Sequence, residues 1–186
     1  MLPLSVGPSS NGAIVLAKRN MFKKVGKTNT PLTEQRFDNG KRDKWHPSRR
    51  IITMVLQFKN QRGKKFAVSS DHAWTKAGHS EGVIVNTHNH QIRRFAVDSD
   101  GYLKKGIPSI RGGDYNEHIA PGGGEAYVEE QFPRVGLRAA RPLHYQKPRL
   151  DEIWVSKQIR VTSWEYISEE EGNTDHEGIV IDFNVV

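Results

Sequence analysis

Any chemistry done by this chain must be built without sulfur nucleophiles. There are no cysteines, which removes disulfides, thiolate metal sites and cysteine nucleophiles together. There are eight histidines and 28 lysines and arginines. One histidine can take a proton, a second can return it, and a Lys or Arg can hold a phosphate between them. That is the arrangement of a ribonuclease working without metal. His46, His72, His79, His118 and His144 all qualify, and their spacing does not choose among them. His88 and His90 would share one face of a strand and could offer two metal ligands. No third ligand sits at a supporting spacing, so they read as paired surface histidines.

A second pattern comes from order along the chain. An apolar run from Ala13 to Ala17 leads to Arg19; Phe66-Ala67-Val68 leads to Ser69-Ser70; a glycine-rich stretch leads to Glu125. This order resembles the Arg, Ser-Thr-Ser, Glu pattern of the cholera- and pertussis-like ADP-ribosyltransferase toxins, over about Ala13 to Leu143. The resemblance implies transfer of ADP-ribose from NAD, as substrate, to a macromolecular target, protein or nucleic acid. By that resemblance Glu125 would stabilise positive charge developing on the ribose, since a carboxylate there favours the transition state over the ground state. Arg19 would hold the cofactor through its fork of donors. The Ser69 and Ser70 hydroxyls would orient glutamate and ribose, and Tyr115 would touch the target. No metal enters. The same resemblance implies a secreted or delivered effector acting in a target-cell cytoplasm, with a cognate immunity protein as partner; without it the expectation is a cytoplasmic protein.

Other readings stay open. His79-Ser80-Glu81 is similar to the His-x-Glu of zinc nucleobase deaminases, but those sites are completed by cysteines that this chain lacks. Trp45, Trp74, Trp154 and Trp164 could stack bases in a non-enzymatic nucleic-acid-binding module, although tryptophans in a β-rich domain more often build core. A net charge of +7, with an isoelectric point near 9.7, draws polyanions and acidic partners. No apolar run approaches the roughly 20 residues of a membrane-spanning helix, so no membrane partner is expected.

The elements that must carry these residues read as follows. At 186 residues the chain fits one domain, 1–186; a transferase-like core would cover about 13–143, with C-terminal strands in 153–186. Thr33 to Phe37 suggests a short helix. Ile51 to Phe58 and Lys65 to Ser69 form a hairpin around Asn60-Gln61-Arg62-Gly63. Asp71 to Ala77 suggests a capped helix, Gly82 to Thr87 and Gln91 to Val97 two strands, and Asp98-Ser99-Asp100-Gly101 a turn. Six glycines and two prolines between Gly106 and Gly124 read as one long loop. Glu125 to Phe132, Ile153 to Val161, Trp164 to Ser168 and Gly178 to Val186 read as strands, the last two as a hairpin. The fold class is α+β and β-rich: split or sandwich-like antiparallel sheets with one or two short helices.

Overall fold

A computed structural model describes residues 4–5, 16–38, 41–61, 63–73, 81–119, 126–142, 145, 149–168, 170, 176 and 178–186. The centre of the molecule is a six-stranded sheet in the order β3-β4-β5-β6-β8-β7. Its strands are β3 (Phe22–Asp38), β4 (Lys41–Phe58), β5 (Lys65–His72), β6 (Ser109–Ile119), β7 (Leu137–Ala139) and β8 (Arg149–Ser156). Neighbours are antiparallel except β5 and β6, which run parallel. Two smaller sheets pair β1 (Leu4–Ser5) with β2 (Leu16–Ala17), and β9 (Ile159–Ile167) with β10 (Gly178–Val185). The β-rich α+β class is therefore observed, with a mixed principal sheet.

The parallel pair explains the largest departure from the sequence reading. Parallel neighbours cannot be joined by a tight turn, so the chain must cross over, and a helix is the usual means. Residues expected as two strands and a turn form that helix, α1 (Glu81–Leu103). Its buried side is Thr87, His88, Gln91, Ile92, Phe95, Ala96, Ser99 and Tyr102, a stripe at three- and four-residue steps. Half of that stripe is polar, so the apolar periodicity that would announce a helix is missing, while Val and Ile suggest strand. Consequently His88 and His90 lie on a helix rather than a strand. His88 is buried, with Nε2 2.8 Å from the Tyr115 carbonyl oxygen.

The glycine-rich stretch is likewise not a loop where it is described: β6 runs through it at the heart of the sheet, with β5 and β8 on its two sides. The segment expected as a strand from Glu125 is the helix α2 (Tyr127–Arg134), burying Val128 and Phe132 one turn apart. Thr33 to Phe37 lies within β3 rather than in a helix, and Asp71 and His72 finish β5. Ile153 to Val161 is divided by a turn at Lys157-Gln158 into β8 and β9. The hairpins β4–β5 and β9–β10 form as expected; Gly63 supplies the positive φ of 85° in the first. Ala13 to Val15 and Trp74 to Ala77 lie outside the described residues.

Two cores hold the layers together. On one face of the sheet, α1 and α2 bury Ile92, Phe95, Tyr115, Phe132 and Trp154. Their rings form a chain of edge-on contacts, Phe95–Tyr115 at 6.4 Å, Tyr115–Phe132 at 5.4 Å and Phe132–Trp154 at 5.2 Å. On the other face the β9–β10 hairpin packs Val161, Trp164, Ile181 and Phe183 against Met54, Phe66, Ile110 and Val155. Trp154 and Trp164 thus serve packing. Among the described residues no helix is long and apolar enough to cross a membrane.

Candidate active site

Alternation along a strand sends successive side chains to opposite faces. In β5, Ser69 and Asp71 are buried toward the helices, while Ser70 and His72 turn to the hairpin side. In β6, Arg111 and Tyr115 face the helices, and Asp114 faces the hairpin side. Pairing then sets up a row: His72 is opposite Asp114, and Asp114 is opposite Asp151 of β8. Three potential acid–base groups from three neighbouring strands share one rung and one face. The rung lies at the carboxyl end of β5, the end at which parallel strands place their ligand sites.

The distances define two His–Asp pairs. His72 Nε2 is 3.6 Å from Asp114 Oδ2, with the two side chains 38% and 15% exposed, so the pair is open to solvent on one side. His176, from the connection between β9 and β10, places Nδ1 2.7 Å from Asp151 Oδ2. Asn116 completes the group. Its backbone N–H donates to Asp114 Oδ1 at 2.8 Å, and its side-chain amide donates to Asp114 Oδ2 at 3.2 Å and the Ala73 carbonyl at 3.0 Å. Asn116 adopts a left-handed φ of 50°, which asparagine tolerates better than most residues. It breaks the β6–β8 register just beyond Asp114 and turns its amide back onto the end of β5.

Electrostatics tie the row together. The Asp151 carboxyl is raised above its ordinary value, first by burial and further by the Asp114 charge; His176 and His72 pull it back. Behind the row lies a second polar group. Asp71 is buried against Arg111, Asp98 and Tyr115, and its carboxyl is pushed up to about 6. Burial is the largest cause, the Arg111 charge opposes it, and the Asp98 carboxylate adds to it. One guanidinium is shared between two carboxylates, so a proton on Asp71 brings the cluster to neutrality. The Tyr115 hydroxyl is raised well above its usual value by burial and then by Asp71.

The residues singled out in the sequence scatter. Ser70 lies on the face of His72, two rungs from the row. Ser69 turns to the other face and accepts from Arg111 Nε at 3.0 Å. Tyr115 is fully buried in the helix-side core, where its hydroxyl reaches Asp71 at 3.4 Å, and so meets no target. Arg19 is an exposed residue of the turn after β2, a strand whose sheet is separate from that of Ser69 and Ser70. Glu125 lies outside the described residues, as do His79, Ser80 and His144. Of the histidines considered, His72 is brought to the row. Asp114, Asn116, Asp151 and His176 were missed. Gly113-Asp114-Tyr115-Asn116, an acidic residue and an asparagine within a glycine-rich turn of chain, was the available signal.

No family model matches this chain, and no curated protein sequence matches it. Solved structures do. The human Nocturnin catalytic domain with bound sulfate aligns with a TM-score of 0.71 at 22% identity, over 94% of this chain and 64% of that one. An endonuclease/exonuclease/phosphatase from Bacteroides vulgatus aligns with a TM-score of 0.67 at 14% identity, covering 99% and 76%. The mannosyl-6-phosphatase of Bacteroides thetaiotaomicron gives 0.65 at 17%, covering 98% and 76%. The chain thus spans about two thirds to three quarters of the length of these structures. None of these is an ADP-ribosyltransferase, and the likeness overturns that reading with its NAD substrate. The physical reason is visible in the fold: the segments matched to that family's strands after Ser69-Ser70 form α1, and Tyr115 is core. The chain is built on the endonuclease/exonuclease/phosphatase fold.

Proposed function

We propose that this chain is a phosphoester hydrolase, with His72, Asp114, Asp151 and His176 as its acid–base groups and Asn116 holding Asp114 in place. The observation that carries this reading is the row itself: two His–Asp pairs from three strands and one connection, converging on one open end of the sheet. The ribonuclease-type alternative in the sequence, with histidines moving protons around a phosphate, is the reading these findings favour.

In hydrolysis a water oxygen bonds to phosphorus while the bond to the leaving oxygen breaks. Asp151, accepting from His176 at Nδ1, orients that ring and stabilises its protonated form, so Nε2 can take the proton of the attacking water. His72, held beside Asp114, faces a non-bridging phosphate oxygen in this scheme and, when it carries a proton, can return it to the leaving oxygen. Asn116 spends its amide hydrogens on Asp114 and Ala73, which makes it a holder of the site. Among the described residues no group of three or more His, Asp and Glu is arranged to hold a metal ion. Asp114 and Asp151 do offer two hard carboxylates on one rung, the kind of partial shell that Mg²⁺ completes with water and substrate phosphate. An ion there would neutralise phosphate charge; the proton transfers belong to the chain's own residues.

The net charge of +7 favours a polyanionic substrate such as an oligonucleotide over a small sugar phosphate. The test is turnover of single-stranded RNA and DNA, bis(p-nitrophenyl) phosphate and a hexose phosphate, each with Mg²⁺ and with chelator. Cleavage of the oligonucleotides with weaker turnover of the sugar phosphate is expected; no phosphoester turnover in any arm would refute the reading.

A further inference from the structure

We propose that Arg111 is a positioning residue for this site: its guanidinium fixes the alignment of β5 with β6 at the rung where His72 meets Asp114. The proposal rests on the hydrolase reading only for what is being positioned. Arg111 is fully buried, and its donors reach two elements besides its own strand. Nε donates to Ser69 Oγ at 3.0 Å and lies 2.7 Å from Asp71 Oδ2. Nη1 donates to the Phe95 carbonyl and to Ser99 Oγ at 3.1 Å. Nη2 donates to Asp71 Oδ1 at 3.2 Å and to Asp98 Oδ2 at 3.1 Å. The guanidinium carbon sits 5.6 Å from the Phe95 ring centroid. A single planar cation therefore clamps β5 through Ser69 and Asp71, α1 through Phe95, Asp98 and Ser99, and its own strand.

Stability alone is a poor reason for such a cluster. Desolvating a cation and two carboxylates costs several kcal/mol per ion, and apolar side chains of similar volume often hold layers together at least as well. What the planar fork supplies is direction. Asp71 and His72 leave β5 on opposite faces, so any roll of the strand that moves Asp71 swings His72 through the same angle. Gly113, opposite Asp71, makes the coupling tight. A side chain at 113 would run into the Asp71 carbonyl, with the carbonyl carbon at 2.7 Å. β5 and β6 are in backbone contact beside the row, pulled together from the helix side by the Arg111–Asp71 pair.

The experiment compares wild type with Arg111→Lys, which keeps the charge and loses the fork, and with Asp71→Asn, which keeps the shape and leaves Arg111 paired to Asp98. Folding is followed by near-ultraviolet circular dichroism, kcat and KM on bis(p-nitrophenyl) phosphate, and the imidazole nitrogen resonances of His72 and His176 by NMR. A misplacement of about 1 Å can cost about 10²-fold in rate. A loss of kcat of that order for Arg111→Lys is expected, with KM within about twofold. The His72 resonances should move while those of His176 stay. A folded Arg111→Lys protein with wild-type kcat and unmoved His72 resonances overturns the proposal. If Arg111→Lys does not fold, Asp71→Asn decides on the same readouts. If the wild type turns over no phosphoester, the hydrolase reading fails by itself, and the His72 resonances still decide the positioning claim.

Discussion

His176 and Asp151, separated by 25 residues in the chain, meet at 2.7 Å between Nδ1 and Oδ2. Asp151 in turn shares its rung with Asp114, and Asp114 with His72. The carboxylate therefore does two things: it holds the His176 ring at Nδ1, and it joins the two His–Asp pairs into one electrostatic unit. Asp151→Asn keeps the shape and removes the charge that stabilises an imidazolium. A drop in kcat of about 10²-fold or more is expected, with substrate affinity little changed, read by steady-state kinetics.

Stability should depend on pH through Asp71. Its carboxyl holds a proton up to about 6 in the folded protein, against an ordinary value of 3.8. The folded state is then the better proton acceptor between those values. Stability is greatest below pH 3.8 as far as this group is concerned, declines as pH rises toward 6, and is flat above. The ceiling on that decline is on the order of 3 kcal/mol. Denaturant unfolding at pH 4 to 7.5 measures it, and Asp71→Asn should flatten this part of the profile. A profile as steep in the variant as in the wild type would remove Asp71 as the cause.

Gly112 and Gly113 are adjacent, yet their substitution should differ in outcome. A methyl group at 113 meets the backbone of Asp71, which cannot withdraw without parting β5 from β6. A methyl at 112 meets Ile153 Cγ1 at 3.6 Å, an ordinary contact. Gly113→Ala should cost about 1–3 kcal/mol or more and should disturb activity beyond the loss of folded protein; Gly112→Ala should be near neutral. Equal midpoints in chemical denaturation would count against the close approach.

The start of α2 is held from outside the helix. Ala126, at its N-cap position, makes no side-chain cap, and Glu117 Oε2 accepts the Val128 N–H at 2.8 Å. Glu117→Ala removes that acceptor and the neighbour of the buried His88 Nδ1, 3.8 Å away. A loss of about 1–3 kcal/mol is expected, with hydrogen exchange at Val128 accelerated more than exchange in β8.

How far the sequence carried the structure follows from where packing overrides local preference. The hairpins β4–β5 and β9–β10 were legible because alternation and turn residues coincide there. α1 was not, because its buried stripe contains Thr87, His88, Gln91 and Ser99, whose polarity hides the helical period. β6 was not, because Gly112 and Gly113 look like loop until a partner on each side supplies what their propensity lacks. The site fell with β6. Asp114 and Asn116 read as loop polar residues, and His176 as one more histidine, until strand pairing brought them to Asp151. The resemblance to the transferase toxins matched residue types in order, and order alone does not say that Ser69 and Tyr115 turn inward while His72 turns out.

Proton transfer by His176 is the step on which the proposed phosphoester hydrolysis turns. Its most direct measurement is kcat on bis(p-nitrophenyl) phosphate for wild type and His176→Ala, with equal folding shown by circular dichroism. The expected result is wild-type turnover that falls about 10²- to 10⁴-fold in the variant while the unfolding midpoint stays put. A folded His176→Ala protein that hydrolyses the substrate at the wild-type rate would contradict it.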